Sequence, residues 1–287
     1  MSLRIGEVHL HPAVESEFAA LDPYELYPDF TAQHLADNLD WLVPRFYDVQ
    51  AKRLIIAVQG FVVRSGGKTI VVDTCVGDCK ERLRASFHEQ QWNWLERLGV
   101  AVDEVDYVVC THFHVDHVGW NTRLVNGKWL PTFPRARYLF VKAEWDFWWS
   151  EAGHYGRSRT GDYMQDSVLP VAEAGLVDFV AMDHRIDANV SLLPAPGHTP
   201  GLTCVALDSA GQKAVLASDV LHTPLQLTYP HWSTRFCADP EESRRTRLAF
   251  LERYADSGVL ILPTHFPAPT AGYIERDRDG YRYRYSQ

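Results

Sequence analysis

The alternation of apolar and polar positions sorts the chain into short elements. Residues 3–10 alternate as an edge strand does. Residues 12–30 carry Pro12, Pro23 and Pro28, which interrupt both helices and strand ladders, so this stretch reads as irregular. "TAQHLADNLDWL" (31–42) opens on a capping Thr and continues with apolar residues at helical spacing, which predicts a helix. "RLIIAVQGFVVRSGGKTIVVDT" holds two β-rich runs around Ser65-Gly66-Gly67 and predicts a hairpin. "HEQQWNWLERLGV" reads as a helix stopped by Gly99, and "VDYVVCTH" as a short buried strand. The pattern then alternates: a strand over 136–141, a helix over "KAEWDFWWSEAG", and a looser polar segment over 151–177 with a helix near 162–174. "VDFVAM", "VSLLPA", "GLTCVAL" and "KAVLAS" predict four strands, 240–257 a long helix, and "GVLILP" a last strand.

Hairpins, helices and buried strands are mixed in both halves. That favours α/β layers, with sheet packed on sheet and helices outside. No linker or internal repeat interrupts the chain, so 1–287 reads as a single domain, with 1–50 a candidate lid or dimer-contact extension. Of 287 residues, 46% are hydrophobic and 23% charged, which is ordinary globular composition and enough for a large core. The formal net charge of −9 sets the chain against general nucleic-acid binding, because phosphate backbones attract basic faces. The basic runs Ser243-Arg244-Arg245-Thr246-Arg247 and Arg282-Tyr283-Arg284 read as solvated faces. No apolar run is long enough to cross a membrane, and "MSLRIGEVHLHP" lacks a signal-peptide core, so no membrane partner and a cytoplasmic location are expected. Five scattered cysteines argue against a disulfide framework, and Cys75 and Cys79 read as loop or core thiols.

One stretch stands apart: "VVCTHFHVDHVGWN", Val108 to Asn121. Three histidines and an aspartate follow a buried strand within six residues. Buried polar groups need partners, so such a crowd is exposed, mutually hydrogen-bonded or metal-bound. Imidazoles and a carboxylate suit zinc or a similar first-row ion. In an extended segment His112 and His114 point the same way, while Asp116 and His117 enter a turn and face a neighbouring second ion. His198 in "PAPGHTPG", Asp219 in "VLASDV" and His265 in "LILPTHF" each follow a further apolar strand. Ligand types repeated past strand ends, where α/β sites form, carry more weight than any one of them. Seven candidates exceed what one ion needs, which points to two ions per chain.

Together "THFHVDH", "GHTPG", "SDV" and "PTHF" resemble the metallo-β-lactamase superfamily of dinuclear hydrolases, with the spaced motifs running from residue 73 to 265. The resemblance implies an αββα sandwich of two mixed β-sheets flanked by helices. It implies that His112, His114 and His198 hold one ion, that Asp116, His117 and His265 hold the other, and that Asp219 bridges them. Asp73 in "IVVDT" matches an aspartate that orients the ligand loop. The implied ions are divalent first-row metals, zinc foremost, with manganese, cobalt and iron open by ligand type. The implied reaction is attack of a metal-bound hydroxide on an electrophilic carbonyl or phosphorus, with Asp116 passing a proton to the leaving group.

"HVDHVGWN" and "SDVLH" look most like the lactonase and organophosphate-hydrolase branch, which includes quorum-quenching acyl-homoserine lactonases. Those lactonases place a tyrosine three residues after the bridging aspartate. This chain has His222 there, a candidate catalytic hydrogen-bond donor. Phe113 and Trp120 flank the ligands as candidate pocket residues, and "EWDFWW" and "TYPHW" add aromatics for an apolar mouth. The expected substrate is a small lactone or ester, acyl-homoserine lactones first, and a homodimer is the candidate assembly. The alternatives are a phosphotriester or aryl-ester hydrolase, a glyoxalase-II-like thioesterase, and a redox or metal-binding protein on the same scaffold.

Overall fold

The structure is a computed structural model that describes residues 2–158, 161–278 and 280–286. In chain order come β1 (Leu3–Ile5), β2 (Val8–Leu21), α1 (Pro23–Leu26), α2 (Ala32–Leu42), β3 (Tyr47–Asp48), β4 (Arg53–Ser65) and β5 (Lys68–Val72). Next are β6 (Tyr107–Cys110), β7 (Thr122–Val125), β8 (Lys128–Pro131), β9 (Arg137–Val141), α3 (Lys142–Trp148), α4 (Glu151–Ser158), α5 (Tyr163–Ser167), α6 (Leu169–Glu173) and β10 (Val177–Val180). The chain ends with β11 (Val190–Pro194), β12 (Thr203–Ser209), β13 (Gln212–Ser218), α7 (Leu225–Thr228), α8 (Pro240–Tyr254), β14 (Leu260–Pro263), β15 (Gly272–Asp277) and β16 (Gly280–Tyr285).

Among the described residues, one eight-stranded sheet has the order β1-β2-β4-β5-β6-β9-β10, with β3 beside β4. A six-stranded sheet runs β11 to β16 in sequence order, and β7 pairs with β8 alone. Both large sheets are mixed: β5, β6, β9 and β10 pair in parallel, as do β13 and β14, while hairpins supply antiparallel pairs. Two mixed sheets flanked by helices are the α/β layers expected from the sequence. Among the described residues no helix is long and apolar enough to cross a membrane.

The fold divides into two compact units, one of Met1–Ser16, Val58–Pro194 and Gly201–Lys213, the other of Glu17–Ala57, Ala195–Pro200 and Ala214–Gln287. The first unit is built on the parallel strands. Ile70, Val71, Val72, Val108, Val109, Leu139 and Phe140 are all buried, so these strands read as continuous apolar runs. Parallel pairing brings the C-terminal ends of β5, β6 and β9 to one edge of the sheet. The second unit has its own core of Leu26, Tyr27, Phe30, Leu42, Phe46, Leu54, Ile56, Leu225 and Trp232. Thr31 caps α2 as its sequence predicts, accepting from His34 N at 3.3 Å while His34 Nδ1 accepts from Thr31 N at 3.1 Å.

Several elements differ from the reading of the pattern. Residues 12–21 belong to β2 rather than to an irregular stretch; the pairing of β1 with β2 ends at Leu10, so Pro12 lies beyond it. The helix expected over 88–100 is a single 3₁₀ turn, Trp94–Arg97. Asp78 takes the N–H groups of Trp92 (2.5 Å) and Asn93 (3.2 Å), and Glu89 and Asn93 adopt left-handed φ of 47° and 53°, so no α-helix can propagate. The helix near 162–174 breaks into α5 and α6 at Val168, ahead of Pro170 at the start of α6. Asn126-Gly127 turns the β7–β8 hairpin, an Asn-Gly signal the pattern reading passed over. The basic tail forms β16, whose Arg282 and Arg284 pair with Glu275 of β15. Arg247, expected on a solvated face, is 1% exposed and donates to Pro230 O, Ser243 Oγ and Ser233 Oγ.

Candidate metal centre

In the first unit the ligand loop starts where β6 stops. Main-chain bonds lace it to the segment after β5: Asp73 N to Val109 O, Thr74 N to His117 O, Gly119 N to Cys75 O and Trp120 N to Thr74 O, all 2.7–2.8 Å. The approach is so close that a Cβ on Gly119 would lie 1.8 Å from Val76 O. Asp73, at φ 58°, turns its carboxylate onto this loop. Its Oδ1 accepts from Thr111 N, and its Oδ2 accepts from Thr111 Oγ1 and faces His117 Nδ1, each at 2.8 Å. An ionised carboxylate only accepts, so His117 donates Nδ1–H and keeps the lone pair of Nε2. His112 meets Thr111 Oγ1 through Nδ1 at 3.2 Å and presents Nε2 to His114 Nδ1 at 3.0 Å. His112 and His117 are buried, whereas His114 and Asp116 reach the surface.

In the second unit Asp219 follows β13, past a bulge at Leu216–Ser218 where Ser218 takes φ 45°. Three buried imidazoles converge on its carboxylate: His198 Nε2 at 3.1 Å, His222 Nε2 at 3.2 Å and His265 Nε2 at 3.1 Å. His265 must donate Nδ1–H, because its partner at 2.9 Å is the carbonyl of Ala57. His198 meets Cys237 Sγ through Nδ1 at 3.5 Å. Burial works against charge on His198, yet the Asp219 carboxylate outweighs it and raises this histidine to about 10. Burial dominates at His222, which is pushed down to about 4 and is neutral at pH 7.

One rule runs through both halves. His117, His198 and His265 each use Nδ1 on a fixed partner and present Nε2, the arrangement that orients metal-binding histidines and sets their tautomer. The donor set is imidazole and carboxylate, mostly buried, which fits a divalent first-row ion.

The remaining sequence candidates fall in place around this. Phe113 is fully buried with its ring against Phe140, and Trp120 donates Nε1–H to Glu15 at 2.8 Å, so both pack inward. Three residues near the ligands escaped the sequence reading. Glu15 also accepts from Val76 N and Gly77 N, Cys237 touches His198, and Glu144 binds the amide of Phe113. Their only signal would have been an acid or thiol among apolar neighbours.

Fold and ligand pattern together define a metallohydrolase scaffold. The chain belongs to the metallo-beta-lactamase superfamily, whose pattern it matches over residues 57–265. N-acyl homoserine lactonases from Bacillus sp and Bacillus cereus are 26% identical over 124 residues and 25% over 122, spanning 43% and 42% of this chain. These matches span only 41% and 40% of the length of those relatives. Among solved structures, hydrolase AbOPH in the beta lactamase superfamily superposes with TM-score 0.83 at 21% identity, covering 100% of this chain and 97% of that one. AidC, a dizinc quorum-quenching lactonase solved with the product N-hexanoyl-L-homoserine, gives TM-score 0.81 at 20% identity, with coverages of 100% and 97%.

Proposed function

We propose that this chain is a dinuclear metal-dependent hydrolase that opens lactones or cleaves small esters bearing an apolar portion. The observation that carries the reading is the shared pattern of histidines anchored through Nδ1 and presenting Nε2 beside carboxylates. His112, His114 and His198 would hold one ion and Asp116, His117 and His265 the other, with Asp219 serving both and Asp73 orienting the loop. Two such ions, when bound, activate water and polarise a carbonyl. Asp116, partly exposed, carries the proton to the leaving oxygen. His222, whose Nε2 lies 3.2 Å from Asp219, is the candidate for a hydrogen bond to a substrate oxygen. Zinc is the expected metal.

Acyl-homoserine lactones are the first substrates to try, a choice supported by the curated relatives and by AidC. An apolar portion is supported by the Trp148 ring, which lies edge-on to His114 with ring centroids 5.4 Å apart. The departure at His222, where related lactonases keep a tyrosine, favours phosphotriesters and aryl esters as the second class. The test is elemental analysis of metal-loaded protein, then turnover on acyl-homoserine lactones, γ- and δ-lactones, aryl esters and phosphotriesters, with Asp116→Asn as control. About two ions per chain and lactone or ester hydrolysis are expected. Saturation near one ion refutes the dinuclear centre, and cleavage of thioesters or RNA alone refutes the substrate class.

A further inference from the structure

Glu144 lies in α3, far in sequence from every ligand, and is 1% exposed. Its carboxylate is a junction of three N–H donors. Oε1 accepts from Phe113 N at 2.9 Å and from Trp148 Nε1 at 2.5 Å, and Oε2 accepts from Gly201 N at 3.0 Å. Phe113 is the residue between His112 and His114, and Gly201 comes three residues after His198. The same two segments meet again one step on, where Thr203 N donates to Thr111 O at 3.0 Å. Gly201 is the only residue type this contact admits, since a Cβ there would lie 2.3 Å from Glu144 N and 2.5 Å from its Cβ. Trp148, held by the same carboxylate, sets its ring edge-on to His114 at 5.4 Å.

A buried carboxylate accepting three N–H bonds is costly to place without those donors, and the donors are costly to leave unmet. Glutamine is not equivalent. Its NH₂ only donates, so either Phe113 N–H with Trp148 Nε1–H or Gly201 N–H would face another donor. In the first orientation the peptide between His112 and His114 turns and takes both imidazoles with it; in the second Gly201 shifts, three residues after His198.

We propose that Glu144 is a positioning residue for the ion held by His112, His114 and His198. This rests on the ligand assignment above. It acts by fixing the Phe113 amide, and with it the aim of both flanking rings. Outer groups that orient metal ligands typically change metal affinity about 10–100-fold when removed.

The test compares Glu144→Gln with the unaltered protein by zinc titration against a chelating dye, which resolves two successive dissociation constants, and by the visible spectrum of the cobalt-loaded protein. The expected result is a folded variant in which one constant weakens about 10–100-fold, the other stays within about threefold, and the cobalt bands shift. In the His117→Ala background, which keeps the first ligand set, the weakening should persist. Two constants within about threefold of the unaltered protein, or equal weakening of both, overturn the proposal. Should Glu144→Gln not fold, Glu144→Asp, which keeps the carboxylate but shortens its reach to the Phe113 amide, is read the same way: selective weakening supports the proposal, and no change overturns it. Binding of only one ion by the unaltered protein would instead count against the dinuclear centre.

Discussion

Asp73→Asn is the most informative single change in the first unit. Asparagine has the same shape and tolerates the left-handed backbone at φ 58°, so the perturbation is confined to the acceptors. Asp73 serves three donors at 2.8 Å: Thr111 N, Thr111 Oγ1 and His117 Nδ1. The amide supplies one oxygen and one NH₂. If NH₂ replaces Oδ1, it faces Thr111 N–H, and a buried donor goes unmet at about 1–3 kcal/mol. If it replaces Oδ2, His117 must accept through Nδ1 and moves its proton to Nε2, the nitrogen needed for metal. The first orientation loosens the strand end and the second removes a ligand lone pair. At about 1.4 kcal/mol per tenfold in affinity, a cost of about 1–3 kcal/mol corresponds to a loss of roughly 5–150-fold. The assay is chelator competition on folded protein, with circular dichroism to confirm the fold. Dissociation constants within about threefold of the unaltered protein for every bound ion would refute the orienting role.

Other changes separate the remaining roles. His222→Phe should keep both ions but lower kcat/KM by about 1–3 kcal/mol of transition-state stabilisation, and unchanged kcat/KM removes His222 from the reaction. Asp219→Ala removes the carboxylate on which three Nε2 atoms converge, so elemental analysis should find metal lost along with turnover; two retained ions with full activity refute the bridging role. Burial raises Glu15 from 4.5 to about 8 despite its three N–H donors. The native chain therefore holds a proton that the unfolded chain has released between about pH 5 and 8. That contribution is complete below about pH 4.5 and is lost as pH rises through about 8. Urea unfolding of the metal-free protein should thus fall in stability less steeply over this window in Glu15→Gln, and parallel slopes for the two proteins sink the assignment.

What the sequence made legible follows from where the physics is local. His112, His114, Asp116, His117, His198, Asp219 and His265 each stand just past an apolar run, and the strands at β6, β11, β13 and β14 are where such runs fall. The hairpin of β4 and β5 was legible for the same reason, with Gly66-Gly67 marking its turn. The failures lie where a distant group overrides the local pattern. Helical spacing over 88–100 loses to the Asp78 carboxylate, which captures two amides from the segment. Glu15 and Glu144 answer main-chain N–H groups far along the chain, and main-chain donors leave no mark in a residue pattern. Arg247 looked solvated among its basic neighbours, yet its partners lie in the loop at 230–233 and one turn back in its own helix.

The contact between Gly119 and Val76 governs how this chain can vary. The obstacle to a side chain at 119 is a carbonyl of the main chain, which no change of rotamer removes. A saturation library at 119 should therefore return glycine alone, whereas Leu124, 46% exposed on the nearby hairpin, should accept most residues. Selection for a new substrate would thus leave position 119 blank and act through side chains elsewhere. The ligand loop is a fixed chassis, and diversification must come from what is mounted around it.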